Sequence, residues 1–422
     1  MDCSNNLLIS EAERSRLRSW CKQEYLDNPQ ARSLARNFAL GIYGNGPTLQ
    51  FQTGEEHLNE VLEMTFARWR QRVNLDWLFH LALNQLFYDG ESFFYFYDQP
   101  TMPGGIGVEL LEARRIQDPL GTDWRPDRLE GITYNDWGEP VYYHVLIENS
   151  NPLFGMTNEY GIVPAERMSH FFLEDVVNQK RGLPMLQSAL EMLASMQRIT
   201  NASLGAWELA AKMNLVIQTG MDAYNFVQCV PKGLGDDEVT CVDAFSTKQI
   251  PEDGGMTFLA NGMTMNQVKN EHPNSQFGDH TQTFQKIAGL SAGLPENMAT
   301  GSSANYNFSS AQMDFQLFSR FGGVCQKKIL GIMRKCVAES LRGAARRERI
   351  PEVVEFLQAY PEPDLWPIEW YFPTVLSSID RINNAAADVQ LLQAGLTTIK
   401  EYCKRYGLNY EQIKQERIMN NE

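Results

Sequence analysis

Over residues 1 to about 92, apolar side chains recur at steps of three and four, the spacing that gathers them on one helix face. "NPQARSLARNFALGIYGNG" has Asn28 as N-cap and Pro29 at the first helical position, and it stops at a Gly-Asn-Gly cluster. "LDWLFHLALNQLFYDGE" repeats the spacing and stops at Gly90. The texture then changes. "SFFYFYD" and "GIGVELLEARRI" are aromatic and β-branched runs around a "QPTMPGG" turn, which predicts two strands. "GITYN", "PVYYHVLI" and "MSHFFLE" predict more strands, with turns at "NDWGEP" and "NPLFGM". The first third therefore reads as α+β.

At residue 182 helical spacing returns. In "GLPMLQSALEMLASMQRITNASLGAWELAAKM", Pro184 starts a helix, and Met185, Ala189, Met192, Met196 and Ile199 share one face. Continued to Lys212, that helix runs ~29 residues, or ~43 Å. Short strands and turns follow from Met213 to Val268, then a helix from Gly278 to Ala292 and a small-polar run from Thr300. A third long helix is predicted from Ser309 to Arg342, capped by Ser309 or Ser310. A Pro-rich aromatic segment, "AYPEPDLWPIEWYFP", precedes further helices that stop at Gly395 and Gly407, the last with a capping box of Thr398 and Glu401. There is no internal repeat.

Charge sharpens this picture. The chain has 422 residues, 37 basic against 52 acidic, for a net charge of −15. A protein that grips nucleic acid over its whole surface is excluded; one that lets a polyanion pass without holding it is not. One stretch runs against the trend: Arg320, Lys327, Lys328, Arg334, Lys335, Arg342, Arg346, Arg347 and Arg349 face only Glu339 and Glu348. It is either a solvated face or a contact with phosphate or acidic neighbours, and Lys327, Lys328, Arg334 and Lys335 are its candidate residues. Seven cysteines without a CxxC pair, and six histidines not clustered with them, predict a reducing compartment and no zinc. The N-terminus has no apolar core of a signal peptide, and no run is long enough to span a membrane, so a cytosolic, soluble chain is expected.

Candidate chemistry is sparse. "GLSAG" (Gly289 to Gly293) matches the nucleophile-elbow pattern with Ser291 as nucleophile. That elbow needs a preceding strand and a following histidine; the segment before it is helical, and the last histidine is His280. A helix C-terminus is the plainer reading, and a serine hydrolase the alternative. No phosphate loop is present, since "GNGPTL" lacks both the third glycine and the strand. Asp236 and Asp237 are adjacent, so on a strand they point apart. His80 sits in an apolar helix, and "FFYFY" has no interleaved basic residue for base stacking. No catalytic residue, metal or cofactor is expected.

What stands out is the order of the parts. "NPQARSLARNFALGIYGNGPTLQ", "DGESFFYFY" with "VELLEARRIQDP", "HFFLEDVVNQKRGLPMLQSALEML", "AGLPENMATGSSANYNFSSAQ" and "WYFPTVLSSIDRINNAAADVQLLQAGLTTIKEYCKRYGLNYEQIKQE" follow one another over nearly the whole chain. In that order they resemble the portal proteins of tailed bacteriophages, lambda-like family. The chain departs from the pattern at Phe308, where the family more often runs from Asn-Tyr straight to the serines.

The resemblance implies an α+β wing over 1–181, a first stem helix over 182–213 and a strand-rich clip over 214–268. A second stem helix over 269–299, a tunnel loop over 300–310, a long basic helix over 311–350 and crown-side helices over 351–422 would complete it. It implies a ring, usually dodecameric, at one capsid vertex of the virion, assembled in the host cytoplasm. Double-stranded DNA would pass through it without sequence-specific contact. Partners would be the terminase large subunit, head–tail adaptor proteins, and capsid or scaffold proteins. Ser302, Ser303, Asn305, Tyr306 and Asn307 would line the channel; Asp236, Asp237, Glu238 and Asp243 would face docking partners on the clip. Small amides and hydroxyls suit a loop that touches moving DNA, because Lys or Arg there would release counterions and bind for longer. A scaffold of stacked helices is a third reading.

Overall fold

Caps set the first two helices. In α1 (Glu11–Asp27) the Ser10 hydroxyl accepts from the Glu13 amide at 3.3 Å, while the Glu13 carboxylate accepts from the Ser10 amide at 3.1 Å. In α2 (Pro29–Tyr43) Asn28 Oδ1 accepts from the Gln30 amide at 2.9 Å, and Pro29 occupies a position that needs no N–H. Next come β1 (Thr48–Phe51), α3 (Glu56–Arg72) and α4 (Leu75–Tyr88), then β2 (Glu91–Asp98) and β3 (Ile106–Glu112). β4 (Arg128–Leu129), β5 (Ile132–Tyr134), β6 (Pro140–Ile147), β7 (Glu159–Pro164) and β8 (Met168–Phe172) follow. The second half holds α5 (Leu190–Lys212), β9 (Val216–Thr219), β10 (Met263–Asn266), α6 (Phe277–Leu290), α7 (Glu296–Thr300) and α8 (Phe308–Arg347). α9 (Pro351–Ala359), β11 (Ile368–Tyr371), α10 (Arg381–Gln393), α11 (Ile399–Tyr406) and α12 (Tyr410–Met419) end the chain. This computed structural model describes residues 9–119, 125, 127–147, 159–212, 216–219, 263–266, 277–304, 307–372, 381–406 and 410–419.

The fold is α+β. It divides into one unit of Met1–Ala194 with Gln282–Glu422, and a second of Ser195–Thr281. In the first, β3-β2-β8 form an antiparallel sheet and β4-β5-β6-β7 another. Phe93, Leu111, Ile132, Tyr143, Val145 and Met168 from the two sheets share one apolar cluster. The other face of β2 meets the helices, with Phe94 against Phe79 of α4 at a ring separation of 4.9 Å. Both faces of β2 are thus buried, which is why "FFYFY" shows no alternation. α2 packs on α4 and on α8, with Phe38 edge-on to Phe87 at 5.1 Å and 6.2 Å from Phe321. In the second unit β9 pairs antiparallel with β10, and Trp207 meets Phe277 edge-on at 5.6 Å.

Three elements differ from expectation. β1 was not foreseen in the helical first segment; it pairs with β11, Thr48 opposite Tyr371, more than 300 residues away, so no local pattern announces it. α5 begins at Leu190, after a 3-10 turn over Met185–Ala189. That tighter winding advances the phase, so the buried side is Leu186, Ala189, Leu193 and Met196, while Ile199 is exposed. α8 is capped by Asn307, not by Ser309 or Ser310, and it continues to Arg347.

Candidate functional site

The small-polar run forms a short span between two helix ends. α7 is five residues long and stops at Gly301, whose φ of 68° is the left-handed conformation that glycine adopts without penalty. Thr300 Oγ1 donates to the Glu296 carbonyl at 2.8 Å and accepts from the Ser302 amide at 3.2 Å. On the far side, Asn307 Oδ1 accepts from the Ser310 amide at 2.8 Å, and Ser310 Oγ accepts from the Asn307 amide at 3.2 Å. The loop is tied to α2 from below: Asn37 Nδ2 donates to the Met298 carbonyl at 2.7 Å, and Gln30 Nε2 to that of Ala299 at 2.5 Å. Ser303 and Asn307 are exposed and Ser302 is half-buried. Asn305 and Tyr306 lie outside the described residues. Between Glu296 and Asp314 the sequence has no charged residue.

Immediately before it, "GLSAG" is a helix stop. The amide of Leu294 donates to the Gly289 carbonyl at 3.0 Å, Gly293 is left-handed at φ 63°, and the Ser291 hydroxyl donates to the Ala288 carbonyl at 2.7 Å. The hydroxyl proposed as a nucleophile closes its own helix.

A buried ionic node, which no sequence pattern singled out, joins two of the recognised stretches. Glu91 at the start of β2 has no solvent exposure. Its carboxylate accepts from Arg181 Nε at 2.8 Å and Nη2 at 2.5 Å, from Arg18 Nη2 at 2.6 Å, from His170 Nε2 at 2.9 Å and from the Gly182 amide at 2.8 Å. Burial pushes the Glu91 carboxyl up, yet the Arg181 and Arg18 charges and the His170 bond outweigh it and hold it well below the usual carboxylate range. Burial lowers the His170 pKa against the opposing pull of Glu91. Arg181 also donates to the Glu130 carbonyl, and Arg14 pairs with the Glu130 carboxylate. The backbones touch here: a Cβ on Gly182 would lie 2.1 Å from the Gly90 carbonyl oxygen. The "DGE" and "KRG" triplets are therefore one joint.

α8 spends part of its positive charge internally. Lys328 pairs with Glu174, and Lys335 Nζ donates to the carbonyls of Met168 at 2.7 Å and Ala165 at 3.1 Å. Burial lowers the Lys335 pKa. Arg334 reaches the Asp364 carbonyl at 3.4 Å, whereas Lys327 is exposed. Two of the four candidate cations thus pin α8 to β8 and its flanks. Among the described residues no cluster of three or more His, Cys, Asp or Glu could hold a metal ion, and no helix is long and apolar enough to cross a membrane.

The family model "Phage portal protein, lambda family" matches residues 5–324, about three-quarters of the chain. The chain belongs to the lambda family of phage portal proteins. That family is structural, not enzymatic, and the match spans both the Glu91 joint and the polar loop. Among solved structures this portal-family chain is similar to one in "Virion of native gene transfer agent (GTA) particle", at 14% identity and TM-score 0.49, covering 93% of each chain. It is also similar to one in "Neck of empty GTA particle computed with C6 symmetry", at 15% identity and TM-score 0.48, covering 93% of each. A third, from "Neck of native GTA particle computed with C12 symmetry", gives 14% and 0.47, covering 95% of each. Comparison with curated proteins gives no match. Of the expected clip, Asp236, Asp237, Glu238 and Asp243 lie outside the described residues; β9 and β10 are the parts of that segment described.

Proposed function

We propose that the protein is the subunit of a portal ring at one capsid vertex of a virion, through which double-stranded DNA enters and leaves. The family match carries this reading, and the loop over 300–310 gives it a mechanism. Uncharged hydroxyls and amides hydrogen-bond passing phosphates briefly, while the protein's net charge of −15 discourages adhesion elsewhere. Ser302, Ser303, Asn305, Tyr306 and Asn307 are the channel-lining residues in this reading, and Lys327 its remaining exposed candidate cation. The terminase large subunit, then head–tail adaptors, would dock on residues 214–268, where Asp236, Asp237, Glu238 and Asp243 supply acidic contacts.

The test is Asn305→Lys. Repeated around a ring it places on the order of ten positive charges at one level of a narrow channel, and each adds counterion-release binding. Packaged DNA length per capsid should fall, and the defect should shrink as salt rises. Normal packaging at low salt, in capsids shown to carry the variant ring, contradicts the placement of the loop.

A further inference from the structure

The N-terminal half of α8 carries a face with nothing on it. Met313, Leu317, Arg320, Val324, Lys327 and Gly331 follow one another at steps of four, three, four, three and four, so they form a single stripe. All six are exposed, Met313, Leu317 and Val324 by 68%, 60% and 57%. The opposite face, with Phe318, Cys325, Ile329 and Met333, is buried in the core. The stripe runs ~27 Å along the helix at 1.5 Å per residue. Its apolar part widens sideways: Leu290, 73% exposed at the end of α6, and Val324 border the same cavity of ≈ 680 Å³, floored by Phe321 and Ala292. Exposed apolar side chains gathered on one helix face in this way mark an interaction site.

The two charges on the stripe are both positive. Neither Arg320 nor Lys327 makes a hydrogen bond or ion pair among the described residues, unlike Lys328 and Lys335 on the same helix. An occupant must therefore bring apolar side chains and acid. The chain itself supplies that: with the nine cations and two acids of residues 320–349 set aside, 28 basic residues remain against 50 acidic. A two-fold contact of stripe on stripe would set Arg320 and Lys327 against their own copies, which like-charge repulsion disfavours. A contact between the stripe and a different, acidic surface does not have that penalty. Such a contact is heterologous, the kind that propagates into a ring when its rotation closes.

We infer that the Met313–Gly331 stripe of α8, with Leu290 at its edge, is the surface on which a second copy of this chain docks head-to-tail through an acidic, apolar patch. This rests on the portal reading and assigns one side of its subunit contact.

Two measurements on the purified full chain test it. First, a photo-cross-linking p-benzoylphenylalanine replaces Leu317, and irradiated protein is run on a denaturing gel. A ladder of covalent multimers is expected; monomer alone, from protein that assembles in solution, overturns the inference. Second, the pair Arg320→Glu and Lys327→Glu should raise the protein concentration needed for half-assembly roughly tenfold at low salt, with the effect fading near 1 M salt. Because both residues are exposed, the unfolding temperature should stay at the wild-type value, which separates lost docking from lost folding. Assembly of the double variant at the wild-type concentration also overturns the inference. If the wild type itself stays monomeric at every concentration and salt, it is the portal reading that fails.

Discussion

Replacing Arg181 by Met tests whether the Glu91 joint holds the first unit together. The side chain is buried, and its removal takes the Nε and Nη2 donors from a carboxylate with no exposure. It also leaves the Glu130 carbonyl without that donor. Breaking one partner out of a buried ion pair costs about 3–5 kcal/mol, because the remaining charge cannot return to water. Arg18, His170 and the Gly182 amide still face Glu91, so about 4 kcal/mol is expected, a fall of roughly 5–10 °C in unfolding temperature. The assay is urea unfolding of Arg181→Met, Glu91→Gln and the double variant. The double variant should cost less than the two singles together, since it leaves no carboxylate stranded. The penalty of Arg181→Met should also depend on pH. The folded Glu91 pKa lies below its ordinary value of 4.5, so the contribution is whole above about 4.5 and is lost as pH falls through the folded value. A single variant within about 0.5 kcal/mol of wild type, or strictly additive costs, would refute the reasoning.

Asp89 works in the opposite sense. Burial pushes its carboxyl up to about 7 from 3.8, and Oδ2 has no hydrogen-bond partner. The folded form keeps a proton that the unfolded form has released, so stability falls as pH rises from about 4 to 7. Asp89→Asn should therefore gain more over wild type in unfolding temperature at pH 8 than at pH 4.5, and an equal difference at both would count against it. Ser291→Ala should leave assembly and packaging unchanged and cost at most about 1 kcal/mol, the worth of one hydrogen bond to its own helix; hydrolysis of an ester or peptide that vanishes in this variant would reverse that reading.

Legibility in the sequence followed the range of the forces. Caps and stops were readable because Asn28, Pro29 and Gly90 act on their immediate neighbours. The strands β2, β3, β6 and β8 were readable from aromatic and β-branched runs. β1 was not, since its partner β11 lies at the other end of the chain and four residues carry no period. The start of α5 was misplaced because a 3-10 turn shares composition with an α-helix and differs only in winding. At the polar loop the run of small polar residues was legible, but the cap fell on Asn307 because its side chain reaches the Ser310 amide. The Glu91 joint was invisible: Glu91, Arg18, His170 and Arg181 are far apart in sequence, and an isolated Glu at a strand start reads as solvated. The nine cations of residues 320–349 were visible as a block, while their division between pins such as Lys335 and the open stripe required the packing of α8 on β8.

The central claim is that this chain is a portal subunit, and the most direct test is the mass and shape of the purified full-length protein. Mass photometry with a negatively stained micrograph should give one closed ring with a central hole and a mass near a multiple of 48.1 kDa, on the scale of a dodecamer. A stable monomer across a wide range of concentration and salt, with no annular particles on the grid, would contradict it.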